Sequence, residues 1–296
     1  MQDAEFEERE YEAPLYNQLE RGSDLLWSPG QVFERHIGID RGMFTLDDLV
    51  FQLHGHAGPL RGAALARYGW PRSWFRSRPN RKLPTFRLNL FVQAKRSQWG
   101  RRLPARIKKL GIATPFWKFN IVPHQQSALQ TVAGRLGARA LIVYAAPAFH
   151  EHKQLYLHTR LGTIVEHSTF PSAVNLRGHD AWYYDQPGAI GVANSEPQAI
   201  EEAPLDERVR RLVGQIEDRT DSSTAWQSDL LDMGGRILEA LSSGEVSDSS
   251  RLADFFDLQR EAERELEDRE YRGVLSGYMT VVNFVQAFAL DWYVVG

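Results

Sequence analysis

The chain has 296 residues, 43% of them apolar and 25% charged, with no cysteine and a formal net charge of −3. This globular profile excludes a disulfide framework, a thiolate zinc site, an iron–sulfur cluster and a cysteine nucleophile. No window approaches the ~18 uninterrupted apolar residues of a membrane span, and the start of the chain is acidic rather than basic then apolar, so no membrane or signal peptide is expected and the default compartment is the cytoplasm.

The net charge conceals a segregation. Residues 1–48 carry 12 acids and 4 bases, 49–150 carry 18 bases and no acid, 151–200 carry 5 acids and 3 bases, and 201–296 carry 21 acids and 10 bases. Such a basic segment calls for an anionic partner, either external, as with phosphates, or internal, with the acidic C-terminal part lying over it. The run Trp70-Pro71-Arg72-Ser73-Trp74-Phe75-Arg76-Ser77-Arg78 favours nucleic acid, because guanidinium forks grip phosphates and flat rings stack on bases. The plainer reading is a solvated basic loop whose aromatics belong to the core.

In chain order, residues 4–21 read as an acidic amphipathic helix with Phe6, Tyr11, Leu15 and Leu19 on one side. Ser28-Pro29 opens a short second helix carrying Glu34, and Ile37 to Phe44 turns extended. Residues 55–84, rich in Gly and Pro, read as a basic insertion. Thr85 to Lys95 is the clearest strand, with Arg87, Asn89, Phe91, Gln93 and Lys95 on one face. Phe116 to Val122 is a shorter strand. Pro123-His124-Gln125-Gln126 opens a helix striped with Leu129, Val132, Ala133 and Leu136, and Ala140 to Ala145 has the continuous apolar character of a buried strand. Leu155–Val165 and Asp180–Val192 read as further strand and loop. From 201 the pattern is helical and acidic, over 206–219, 225–241, 250–270 and 274–290.

The Gln93-Ala94-Lys95 strand end, preceded by Glu34 and Asp40 and followed by a glutamine-bearing helix and a buried strand, resembles the PD-(D/E)XK or restriction-endonuclease-like superfamily. More narrowly, it is similar to the Mrr-like branch, where Gln replaces the acid before X-Lys. The resemblance spans about residues 28–145. It implies an α/β fold with an αβββαβ core around a mixed sheet within residues 1–200, followed by a helical C-terminal region over 201–296. It also implies Glu34 and Asp40 as ligands of Mg²⁺ or Mn²⁺, with Gln93, Lys95 and Gln126 completing the catalytic set. The family's aspartate usually stands shortly before the X-Lys strand, where residues 73–83 hold no acid, so its role passes to Asp40.

The residue types suit the chemistry. Phosphodiester hydrolysis needs hard oxygen ligands for a divalent cation and a positive group at the attacked phosphate, which Lys95 supplies. The expected function is a metal-dependent nuclease, DNA favoured over RNA, for which the resemblance implies a role in bacterial defence or DNA processing. Arg72, Arg76, Arg78, Lys82, Arg87, Arg96, Arg101 and Arg102 are the expected phosphate contacts. The alternative is a non-catalytic nucleic-acid-binding or assembly subunit that recruits a protein partner, or a second copy, through its helical tail. Each residue has a plainer reading too: Glu34 as a solvated helix carboxylate, Asp40 as a turn residue, Gln93 and Lys95 as an exposed strand end, Gln126 as a first-turn surface residue. His54-Gly55-His56 and His150-Glu151-His152 lack the helical i, i+4 spacing of a zincin site. The aromatic run His179 to Tyr184 suits a base pocket or, more simply, core.

Overall fold

The computed structural model describes residues 1–21, 26–27, 88–214, 225–246, 250–266 and 272–295. The Glu34 helix, the extended 37–44 segment and the 55–84 insertion lie outside the described residues. The described chain is α/β, with one mixed and one antiparallel sheet and eight α-helices. Among the described residues no helix is long and apolar enough to cross a membrane.

Strands β1 (Gln2–Asp3) and β2 (Leu26–Trp27) flank helix α1 (Glu8–Arg21). The strand expected at 85–95 is β3 (Leu88–Ala94), all seven of whose residues are buried. A basic excursion follows, through β4 (Gln98–Gly100), α2 (Ala105–Lys108) and β5 (Phe116–Asn120). Helix α3 (Pro123–Leu136) opens on Pro123, whose missing N–H costs nothing in the first turn, and ends at Gly137 with φ 57°. Next come β6 (Ala140–Pro147), α4 (His152–Leu161), β7 (Ser168–Thr169), β8 (Ala181–Tyr184), β9 (Ile190–Asn194) and β10 (Gln198–Glu201). The chain closes through α5 (Leu205–Gly214), α6 (Ala225–Ser242), α7 (Ser250–Leu266), α8 (Arg272–Phe288) and β11 (Asp291–Val295).

The five-stranded sheet runs β2-β11-β3-β6-β7. β3 and β6 are parallel and joined through α3, and β11 runs antiparallel to β3 on its other side. Strand alternation splits β3 between two cores. Phe91 packs with Ile142, Tyr144 and Trp292 against α3, α6 and α8. Leu88, Leu90, Val92 and Ala94 pack with Tyr11, Leu15, Leu19, Leu205 and Val209 of α1 and α5. A strand covered on both faces reads as continuous apolar sequence, which is why β3 and β6 were legible. The six-stranded sheet, β1-β4-β5-β8-β9-β10, is antiparallel throughout. Its Trp182 and Tyr184 are fully buried, so the aromatic run over 179–184 includes core rings rather than a base pocket.

Three expectations change. Leu155–Val165 begins as helix α4, not strand: Glu151 and Gln154 form a reciprocal capping box, and Gly162 closes the helix at φ 73°. The apolar closing helix stops at Phe288, and β11 follows it. Residues 201–296 are mostly helical, yet β11 lies beside the central strand and α6 and α8 fill the same core as β3 and β6. The acidic tail also meets part of the basic segment, since Arg139 pairs with Asp232 and Arg135 with Glu239 at 3.2 Å.

Helices α6 and α8 cross with backbones in contact. A Cβ added at Gly277 would sit 2.7 Å from the Leu230 carbonyl oxygen, and one at Gly234 would sit 2.6 Å from the Gly277 Cα. Alanine gains ~1 kcal/mol of helix propensity over glycine, but overpacking a fixed backbone costs ~1–3 kcal/mol. Gly277→Ala is therefore expected to lower unfolding free energy in urea titration.

Candidate functional site

The site forms where β3 ends. Lys95 follows the last buried strand residue, and its backbone N–H donates to the Ala145 carbonyl at 2.8 Å, holding it beside β6. Its Nζ donates to Gln125 Oε1 at 3.1 Å and lies 5.7 Å from the Tyr144 ring centroid. Gln125 in turn donates through Nε2 to the Phe288 carbonyl at 2.9 Å, and Gln93 Nε2 reaches the same oxygen at 2.9 Å. The last carbonyls of a helix have no partner within it. Here the two glutamines satisfy Phe288, and Arg251 Nη1 donates to Ala287 O at 3.1 Å. Lys95 is thus oriented by the C-terminal end of α8, where helix dipoles favour positive charge.

The carboxylates near Lys95 come from α1. Glu8 Oε2 accepts the Arg96 backbone N–H at 3.1 Å, so it stands one residue from Lys95. Glu12 lies one turn along the same helix face. Burial lowers the Lys95 pKa from its ordinary value, the charge of Arg251 adds to that, and the charges of Glu8 and Glu12 oppose it. Burial also raises the Glu12 carboxyl above its ordinary value; Glu8 adds to the rise, while Arg9 and Lys95 oppose it. Both groups are held where their charged forms are costly, a condition that recurs at functional sites.

Of the expected catalytic residues, Glu34 and Asp40 lie outside the described residues, as do Arg72, Arg76, Arg78, Lys82 and Arg87. Gln93 and Lys95 are on the same side of the strand and linked through Gln125 and Phe288. Gln93 is buried, with Nε2 donating to the end of α8 and no hydrogen-bond partner for Oε1 among the described residues. Gln126 is likewise internal, accepting from Tyr144 Oη at 2.7 Å and donating to Ala173 O at 2.6 Å. The plainer reading, a first-turn surface residue, is excluded: Gln126 is buried where α3 packs against the 3-10 turn at Ala173–Leu176. Arg96, expected on phosphate, pairs with Glu7 at 3.0 Å and donates to Ala4 O at 2.5 Å, clamping the strand end to the N-terminus. Arg101 and Arg102 are exposed and have no carboxylate partner among the described residues. Arg101 lies 5.2 Å over the Trp99 ring, whose other contact is a parallel stack on His150 at 4.6 Å.

Glu8, Glu12 and Gln125 are the residues that sequence reasoning assigned no role. The acids at the border of the Tyr11–Leu15–Leu19 stripe were the available signal, since a carboxylate beside a buried stripe is drawn into the interface. Among the described residues no group of three His, Asp or Glu is placed to hold one metal ion. No protein-family model, curated protein or solved structure matches the chain.

Proposed function

We propose that this protein is a divalent-cation-dependent phosphodiester hydrolase acting on nucleic acid, with DNA as the favoured substrate. The observation that carries the reading is the half-buried Lys95 at the end of the central strand, oriented by Gln125 and faced by Glu8 and Glu12. A cation kept in place against its own desolvation suits the charge that develops on an attacked phosphate. The parallel β3–α3–β6 unit supports a restriction-endonuclease-like core, in which the C-terminal strand β11 supplies a neighbour of the lysine-bearing strand.

Glu8 and Glu12 offer the hard oxygen donors that Mg²⁺ or Mn²⁺ requires, and a nearby cation would favour the ionised form of the Glu12 carboxyl that burial opposes. Glu34 and Asp40 are the sequence-derived acids that would complete the ligand set. A bound divalent ion would polarise the phosphate and acidify water. The chain's own contribution is to present the Lys95 ammonium to a non-bridging oxygen, to fix that ammonium through Gln125, and to hold the backbone with Arg101 and Arg102. The test is cleavage of linear and plasmid DNA, and of RNA in parallel, with Mg²⁺ or Mn²⁺ against chelator. Cleavage absent under all of these conditions rejects the proposal.

Arg101→Ala with Arg102→Ala is expected to weaken DNA binding uniformly across sequences and to reduce the slope of log affinity against log salt by about two. Fluorescence anisotropy over a salt series checks this. The second reading, a non-catalytic nucleic-acid-binding subunit, is favoured by the internal placement of Gln93 and Gln126. It expects the same salt slope with no cleavage.

A further inference from the structure

Beside the Lys95 site, between the start of α7 and the end of α8, is a cavity of about 620 Å³. Its walls include Arg251, Ser250, Asp254, Leu258 and Gln286. The volume falls within the usual range for small-molecule sites. The cavity and the proposed reaction centre share the end of α8: Ala287 is part of the cavity wall and accepts from Arg251, and Phe288, the next residue, accepts from the two glutamines that orient Lys95. The Arg251 charge is also felt at Lys95, whose pKa it lowers.

The lining sorts into the parts of a nucleotide. Arg251 presents a guanidinium fork, the group best matched to a phosphate. Among the described residues Ser250, Asp254 and Gln286 make no side-chain hydrogen bond, and so have capacity for a sugar hydroxyl and a base edge. A carboxylate and a carboxamide are the side chains that read exocyclic amines on cytosine and adenine. Leu258 adds an apolar surface for a ring face. The other acid of the wall, Asp257, is engaged by Arg260, so the lining is not a set of free carboxylates awaiting a metal.

We infer that this cavity is a nucleotide subsite, holding the nucleoside next to the phosphate that Lys95 contacts and giving the protein a base preference through Asp254 and Gln286. The inference rests on the phosphodiester reading of the Lys95 site. The test is equilibrium binding of labelled short oligo-dA, oligo-dC and oligo-dT to the full chain in chelator, by fluorescence anisotropy. The wild type is expected to separate these oligonucleotides by about fivefold or more, within the discrimination typical of one good base contact. Gln286→Ala and Asp254→Ala should erase that preference with the salt slope unchanged. Arg251→Ala should weaken all three and lower the salt slope by about one.

Because Arg251 also caps α8, a second variant is needed. Asp254→Trp, at an exposed position on the wall, fills the cavity without touching that cap and should abolish the preference. The subsite is overturned if Arg251→Ala and Asp254→Trp both keep wild-type affinity and preference, or if the wild type binds none of the oligonucleotides. Wild-type cleavage with these binding properties unchanged by either variant removes the subsite alone. The expected binding effects without cleavage under any metal condition support the subsite and remove the hydrolase reading.

Discussion

Lys95→Ala is expected to reduce metal-dependent DNA cleavage by ~10²–10³-fold, the usual cost of removing one preorganised group that meets developing charge, while affinity for uncleaved DNA stays within about threefold. The asymmetry follows from placement. In the proposed reading affinity is spread over many phosphate contacts, of which Lys95 is at most one, whereas the Lys95 ammonium is held by Gln125, which is itself fixed by the end of α8. Lys95→Met separates chemistry from folding. Because burial depresses the lysine pKa, the unfolded chain binds that proton more readily, and the charged side chain costs stability at all pH values below the folded pKa. An isosteric apolar side chain escapes this cost, so Lys95→Met should melt no lower than the wild type at neutral pH and still be inactive. Retained cleavage in either variant would exclude Lys95 from the chemistry.

Glu12→Gln is the second substitution with a large expected effect, and its two consequences have opposite signs. The folded-state pKa of Glu12 is raised, so the folded protein holds this proton more tightly than the unfolded chain. The resulting stability is fully present below the ordinary carboxyl value and is lost as pH rises through the folded pKa. At neutral pH the ionised carboxylate is therefore a burden that the neutral amide removes. The variant should melt higher than the wild type at pH 7, and the difference should vanish toward acid pH. Its cleavage activity should fall by ~10²-fold or more, and any rise in melting temperature that Mg²⁺ gives the wild type should shrink. Equal melting curves at pH 7, together with intact activity, would reduce Glu12 to a surface carboxylate.

How far the sequence reaches is clearest from particular residues. β3, α3 and β6 were legible because each carries its environment in its pattern: an alternating or continuous apolar run, a proline at the first helical turn and a glycine at the end. Helix α4 was misread because the short apolar run Leu155-Tyr156-Leu157 suits a strand as well as a helix, while the stronger signals, the Glu151–Gln154 capping box and Gly162, flank that run. β11 was missed because five residues after a long apolar helix carry little periodic information, and their pairing partner lies some two hundred positions away. Lys95 was found through a local pattern, but the local search for acids led to Glu34 and Asp40 and passed over Glu8 and Glu12. Nothing in the sequence near Lys95 says that the first helix returns to the strand end; the Arg96 clamp onto Glu7, Glu8 and Ala4 does.

By itself the sequence determined an α/β chain in which a cysteine-free, acid-free basic segment carries a buried strand ending in Lys95. These properties follow from composition and short-range periodicity, which a linear reading preserves. Tertiary structure decided what surrounds that lysine: two carboxylates from the N-terminal helix, a glutamine fixed by the end of the last helix, and a closing strand from the C-terminus beside β3. Burial made the difference, because the free energy of desolvating Lys95 and Glu12 arises only when distant elements exclude water from both. The basic segment was likewise visible as charge, yet only packing sorted Arg96, Arg135 and Arg139, which are bound to the protein's own acids, from Arg101 and Arg102, which are exposed.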